Sequence, residues 1–205
     1  MRKKIFFYLF GITIACLGVT FLLKSNVGAG PWDIVNIKLV EKIGFTFGTW
    51  VIFFQVIFLF LNSYLLKKRP EYESVVTLVV WGLLMDFWME IVFRNVDLTF
   101  VPTPMKWGTF LLGIMLIGIG VAIYLTPDLP RMPYDGTMLA LSERFHIEIN
   151  VSRTILEGTA LLMAIVLGGK IGIGTIVIVL LIGNVIQFFK KVSFIIYHHN
   201  FSFRF

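Results

Sequence analysis

The sequence predicts an all-α integral membrane protein: six spanning helices in two inverted three-helix repeats, each repeat with a short amphipathic helix after its first span. Three observations carry this expectation: apolar runs of membrane-spanning length, a self-similarity at an offset of 102 residues, and basic residues gathered at the ends of the apolar runs.

The apolar runs lie at about 5–23, 49–66, 74–94, 107–126, 153–169 and 173–189. A helix crossing a hydrocarbon core of roughly 30 Å needs about 20 apolar residues. Six spans and their loops therefore consume nearly all of the 205 residues and leave no room in them for a soluble catalytic domain. Composition agrees, with 58% hydrophobic residues, 15% charged residues and a mean hydropathy of +0.88. A soluble domain is roughly 45–50% apolar. The N-terminal Arg2-Lys3-Lys4 followed by an apolar run also has the form of a signal peptide, and Ile14-Ala15-Cys16 faintly resembles a lipoprotein cleavage site. Thr13 in place of a leucine, and the use of this segment by the repeat, argue that it is retained.

Shifting the sequence by 102 residues aligns Gly11 with Gly113, Gly18 with Gly120, Pro31 with Pro133, Asp33 with Asp135, Glu41 with Glu143 and Gln55 with Glu157. A one-residue slip then pairs Gly82 with Gly183 and Asp86 with Gln187. Apolar similarity alone explains matched Ile and Val but not the Pro-aromatic-Asp and Gly spacing. The whole chain, 1–205, reads as a single membrane domain, with repeat one at 5–94 and repeat two at 107–189. Three spans per repeat is an odd number, so the second repeat enters the bilayer upside down. Such inverted repeats recur in secondary transporters.

The net charge of +6 might point to nucleic acid, yet the basic residues cluster at span ends, as at Lys67-Lys68-Arg69 and Lys190-Lys191. That is the positive-inside pattern, so no nucleic-acid partner is expected and the lipid bilayer is. Placing both termini in the cytoplasm puts twelve of the 18 Lys and Arg residues on the inner side. A bacterial inner membrane with both termini inside is the expected location. Cys16 is the only cysteine, which excludes an internal disulfide and a cysteine-based metal site.

Each repeat breaks after its first span, at Lys24-Ser25-Asn26-Val27-Gly28-Ala29-Gly30-Pro31-Trp32-Asp33 outside and at Pro127-Asp128-Leu129-Pro130-Arg131-Met132-Pro133-Tyr134-Asp135 inside. Gly and Pro forbid simple continuation of a helix there. A short amphipathic helix is expected after each break, with Ile34, Ile37, Leu39 and Val40 on one face of the first and Met138, Leu139, Leu141 and Phe145 on one face of the second. Asp33 and Asp135 are expected to cap these helices, and Trp32 and Tyr134 to anchor at the membrane interface.

Arg153 and Glu157 are four apart, hence one turn apart on one helix face, with Glu157 about 6–8 Å inside the fifth run. Ionisable residues inside a membrane usually face a bundle interior or a wet cavity and mark ion or substrate paths. The competing reading is that Glu157 only neutralises Arg153. Asp86, Glu90 and Arg94 form a second ladder at the same spacing, Glu90 and Arg94 reading as a plain interfacial pair and Asp86 as the deeper group. His146, His198 and His199 make no metal-ligand spacing with any carboxylate, and no nucleophile triad or phosphate loop is present, so neither an enzyme nor a cofactor is expected. The tail from Tyr197 to Phe205 alternates aromatic with polar residues and is expected on the inner headgroups.

At Gly28 to Asp33, Phe47-Gly48-Thr49-Trp50, Pro133-Tyr134-Asp135, Arg153 to Glu157, Gly172-Ile173-Gly174-Thr175 and Gly183 to Gln187 the chain resembles the YczE-type bacterial membrane proteins, which share a general plan with YitT-type proteins. The resemblance implies a bacterial inner membrane and a multi-helix bundle. It implies no substrate. The Leu129-Pro130-Arg131-Met132-Pro133 stretch departs from a glycine-rich approach at the second break.

The leading expectation is a small-solute transporter or permease with Asp86 and Gln55 in an outer half-site and Arg153, Glu157 and Gln187 in an inner one. Arg153 aligns with Val51, so only the inner half offers a guanidinium, which suits a small polar or anionic solute bearing carboxylate or phosphate. The rivals are an accessory or regulatory membrane protein without transport, acting on a protein partner or as a homo-oligomer, and a substrate-binding subunit of a transport complex.

Overall fold

Proline opens two helices, at Pro31 and Pro133, and Gly44 closes one, while Lys67 and His146 end two others in the left-handed conformation. The computed structural model describes residues 2–199, with side chains to Ile195. Of the expected tail from Tyr197 to Phe205, residues 200–205 lie outside the described residues, as do the side chains of Tyr197, His198 and His199. The helices are α1 (Arg2–Lys24), α2 (Pro31–Ile43), α3 (Phe47–Leu66), α4 (Ser74–Asp86), α5 (Thr103–Leu125), α6 (Pro133–Phe145), α7 (Ile149–Val166) and α8 (Ile173–His199). A π-helical stretch, Phe87–Val92, extends α4. Six helices, counting α4 with its π-helical end, are long and apolar enough to cross a membrane, and α2 and α6 are not among them.

The chain folds as two compact units. The first holds α1, α5 and α8. Its helices meet through glycines: a Cβ placed on Gly11 would lie 2.8 Å from the Gly120 carbonyl oxygen, and one on Gly18 would lie 2.8 Å from that of Gly113. The residue order makes α1 and α5 antiparallel. Within a membrane, where lipid is as apolar as leucine, such close backbone approach supplies the packing energy that water would otherwise drive. On α8, Val185 fills the space beside Gly118 and Ser193 shares a 2.8 Å hydrogen bond with Thr126, so α8 runs parallel to α5.

The second unit holds α2, α3, α4, α6 and α7, with α3 packed on α4 and α6, and α7 on α2 and α6. Gly48 and Gly82 bring α3 and α4 together, a Cβ on Gly82 lying 2.9 Å from the Gly48 carbonyl oxygen. Thr46 caps α3 by accepting the Thr49 amide at 3.1 Å. Asp86 completes that cap from α4, accepting the Gly48 amide at 2.7 Å and the Thr46 hydroxyl at 2.7 Å.

The short helix α6 differs from expectation in the face it buries, and α2 buries Ile34 of its expected face together with residues not expected there. On α6 the buried residues are Pro133, Thr137 and Ala140, while Leu139 is 42% and Phe145 58% exposed. On α2 they are Pro31, Ile34, Val35 and Asn36. In a chain solvated by lipid, small size and hydrogen bonding select the packed face, and apolarity does not distinguish it. Neither aspartate is an N-cap. The helices begin at Pro31 and Pro133, the positions where a missing N–H costs nothing, with Gly30 and Met132 as caps, so Asp33 and Asp135 are each the third helical residue.

Candidate functional site

Polar side chains converge in the second unit where the N-termini of α2 and α6 meet α3 and α7. A helix start leaves backbone N–H groups without helical partners. On α2 the Asp33 carboxylate reaches back to the Gly30 amide, the acidic half of a capping box. On α6 the partner comes from another helix: the Tyr134 amide donates to Gln55 Oε1 at 2.9 Å. Asn62 Nδ2 donates to the Pro133 carbonyl at 2.8 Å, and the Thr137 hydroxyl donates to the same oxygen at 3.0 Å.

The Tyr134 hydroxyl donates to Glu157 Oε1 at 2.9 Å. Its ring lies 6.1 Å from that of Trp32 and 5.4 Å from that of Phe58, and Trp32 packs edge-on against Phe54 and Phe58. Trp32 and Tyr134 are thus part of one aromatic cluster. Among the described residues, Trp32 Nε1 and Asn36 Oδ1 are buried and meet no hydrogen-bond partner.

Electrostatics ties α2 to α7. Burial, the nearby Glu157 and, in the opposite sense, the Gly30 N–H bond set the Asp33 carboxyl, with a net rise to about 7. Burial and the Glu157 carboxylate likewise push the Tyr134 phenol up, and Arg153 lies close enough to counter part of that.

Of the residues expected at a site, Gln55 and Glu157 are brought together through Tyr134. Arg153 is half-buried one turn before Glu157, and among the described residues no ion pair joins them, since Glu157 bonds Tyr134 instead. Asp86 serves the start of α3. Gln187 is exposed on α8, in the other unit. Glu90 and Arg94 are exposed and not ion-paired, the π-helical stretch between them having broken the four-residue spacing. Gly28 serves packing, a Cβ there lying 2.5 Å from the Thr175 amide nitrogen. Residue spacing missed Asn36 and Asn62, whose one available signal was a polar amide among apolar neighbours.

A model for a family of unknown function, DUF6198, matches residues 2–191. The chain belongs to that family. It is 33% identical over 189 residues to the uncharacterized protein YyaS of Bacillus subtilis, covering 92% of this chain and 93% of that one. An uncharacterized protein of Haemophilus influenzae is 31% identical, with 93% of this chain and 84% of the other covered. The uncharacterized membrane protein YczE of Bacillus subtilis is 29% identical, with 89% and 83% covered. No solved structure matches. The YczE-type resemblance therefore holds, and this DUF6198 member is a multi-pass integral membrane protein.

Proposed function

We propose that the protein is a small-solute transporter of a bacterial inner membrane, not an enzyme, with both termini cytoplasmic, and that the cluster around Tyr134 and Glu157 is its solute site. One observation carries the reading. Residues aligned by the 102-residue shift gather at one place: Trp32 meets its counterpart Tyr134 in the aromatic cluster, and Gln55 and its counterpart Glu157 bond the amide and the hydroxyl of Tyr134. A group that contacts its own counterpart marks a two-fold relation, as in an isologous interface. The α1–α5 crossing has the same reciprocity, Gly11 meeting Gly120 and Gly18 meeting Gly113. An axis relating antiparallel helices is perpendicular to both, so the α1–α5 crossing by itself supports an inverted repeat. The helix lengths also repeat, 23, 13 and 20 residues in α1 to α3 against 23, 13 and 18 in α5 to α7. Transporters built this way bind at the repeat interface. Arg153 remains the group best suited to a carboxylate or phosphate on the solute.

The accessory reading has its own support in the bonds of Gln55 and Glu157 to Tyr134, which would let the cluster simply hold four helices together. Flux separates the two. Proteoliposomes should take up at least one of a panel of labelled carboxylates, phosphate esters and amines in a saturable way, and Glu157→Gln should abolish uptake at unchanged abundance. No uptake across the panel, with Glu157→Gln lowering abundance, would favour the accessory reading.

A further inference from the structure

At about 100° per residue, Asn36 leaves the α2 axis in the sector between Trp32 and Asp33. Trp32 faces the rings of Phe58 on α3 and Tyr134 on α6, and Asp33 feels Glu157 on α7, so Asn36 points into the same cluster. It is 5% exposed, and its Oδ1 has no hydrogen-bond partner. A buried amide carbonyl left unpaired is costly, and a donor entering the site would recover that cost. Charge points the same way. Around Asp33, α7 presents Glu157, which accepts from Tyr134 of α6 and has Arg153 nearby; α3 carries no charged residue, and Lys38 of α2 itself pairs with Glu41. The Glu157 carboxyl disfavours a negative charge on Asp33, and a cation held at Asp33 would relieve that.

We infer that the site takes a protonated amine, its ammonium group held by the Asp33 carboxylate and Asn36 Oδ1 of α2 opposite Glu157. The inference rests on the transporter reading only in taking this cluster as a solute site. Without amine a proton neutralises Asp33 below about pH 7. When the ammonium arrives that proton leaves the carboxyl for solvent, one cation replacing another at constant charge. Trp32 Nε1, a buried donor without a partner, suits an acceptor oxygen on the same solute, as in an amino alcohol or amino acid.

Titrate the purified full chain in detergent with ethanolamine and, separately, acetate, in two buffers of different protonation heat. Ethanolamine should bind saturably with release of protons, about tenfold tighter at pH 8 than at pH 6 by competition at a carboxyl of this kind. Asp33→Asn should abolish binding and Asn36→Ala should weaken it about tenfold. Acetate binding without ethanolamine binding, or ethanolamine affinity unchanged in Asp33→Asn, would overturn the inference. Should Asp33→Asn fail to fold, unchanged affinity in Asn36→Ala would do so. Amine binding without flux in proteoliposomes would remove the transport reading and leave this one. Flux of an anion without amine binding would do the reverse.

Discussion

The Tyr134 hydroxyl and the Glu157 carboxylate are joined by a 2.9 Å hydrogen bond between the start of α6 and the middle of α7, and that bond takes the place of an ion pair with Arg153. Glu157→Gln keeps an acceptor for the hydroxyl, whereas Glu157→Leu leaves it buried and unpaired. The glutamine variant should keep near-wild-type thermal stability. The leucine variant should lose about 1–3 kcal/mol, and adding Tyr134→Phe should restore part of the loss. Melting temperatures of the three variants in detergent check this, and no rescue by Tyr134→Phe would show that Glu157 acts through another partner.

Gly11 and Gly120 have backbone atoms where a side chain would go, whereas Gly108 and Gly158 have nothing within 4 Å. Gly11→Val and Gly120→Val should therefore leave little folded protein, because a backbone cannot move aside as a flexible side chain can. Gly108→Ala should be neutral or gain up to about 1 kcal/mol from helix propensity. Fluorescence-detected size exclusion of tagged variants reads both, and a monodisperse Gly11→Val peak at normal yield would refute the crossing.

Asp86→Ala should destabilise the start of α3 by about 0.5–2 kcal/mol, the usual cost of losing a cap, because the Gly48 amide and Thr46 hydroxyl both donate to it. Its effect on solute flux should be no larger than this stability loss explains. Flux abolished at full stability would return Asp86 to the solute path.

The Asp33 carboxyl, raised to about 7 from an ordinary 3.8, binds its proton more tightly in the folded protein than in the unfolded chain. The folded state then carries more protons between those values, so this group's contribution to stability is full below about 4 and is lost as pH rises through about 7. Thermal stability measured from pH 4 to pH 8 should fall along that window relative to Asp33→Asn. Parallel curves for the two proteins would contradict it.

Both termini in the cytoplasm place the loop after α3 inside and the loop before α5 outside. On a Cys16→Ser background, an impermeant thiol reagent on intact cells should label Asn95→Cys and spare Glu71→Cys. The opposite pattern would invert the topology.

The six spans were legible because length and apolarity alone define a membrane crossing, and both short helices because Gly30-Pro31 and Met132-Pro133 fix where they begin. The packed faces of those helices were not, since Leu139 and Phe145 look like core residues and face outward, while Thr137 and Ala140 pack. The site was half legible. Glu157 and Gln55 stood out as polar residues in apolar runs, but their common partner Tyr134 read as an interfacial anchor, and four-residue spacing favoured Arg153. A helix period ranks neighbours on one helix and is blind to a tyrosine arriving from another.

A solute site around Asn36, Tyr134 and Glu157 in a transporter of this plan must open to each side of the membrane in turn. Side-specific labelling of Asn36→Cys on the Cys16→Ser background, in right-side-out and in inverted membrane vesicles, tests it most directly. The account predicts modification by an impermeant methanethiosulfonate in both preparations, slowed by ethanolamine in each. Modification in neither preparation, or in one alone with or without ethanolamine, would contradict it.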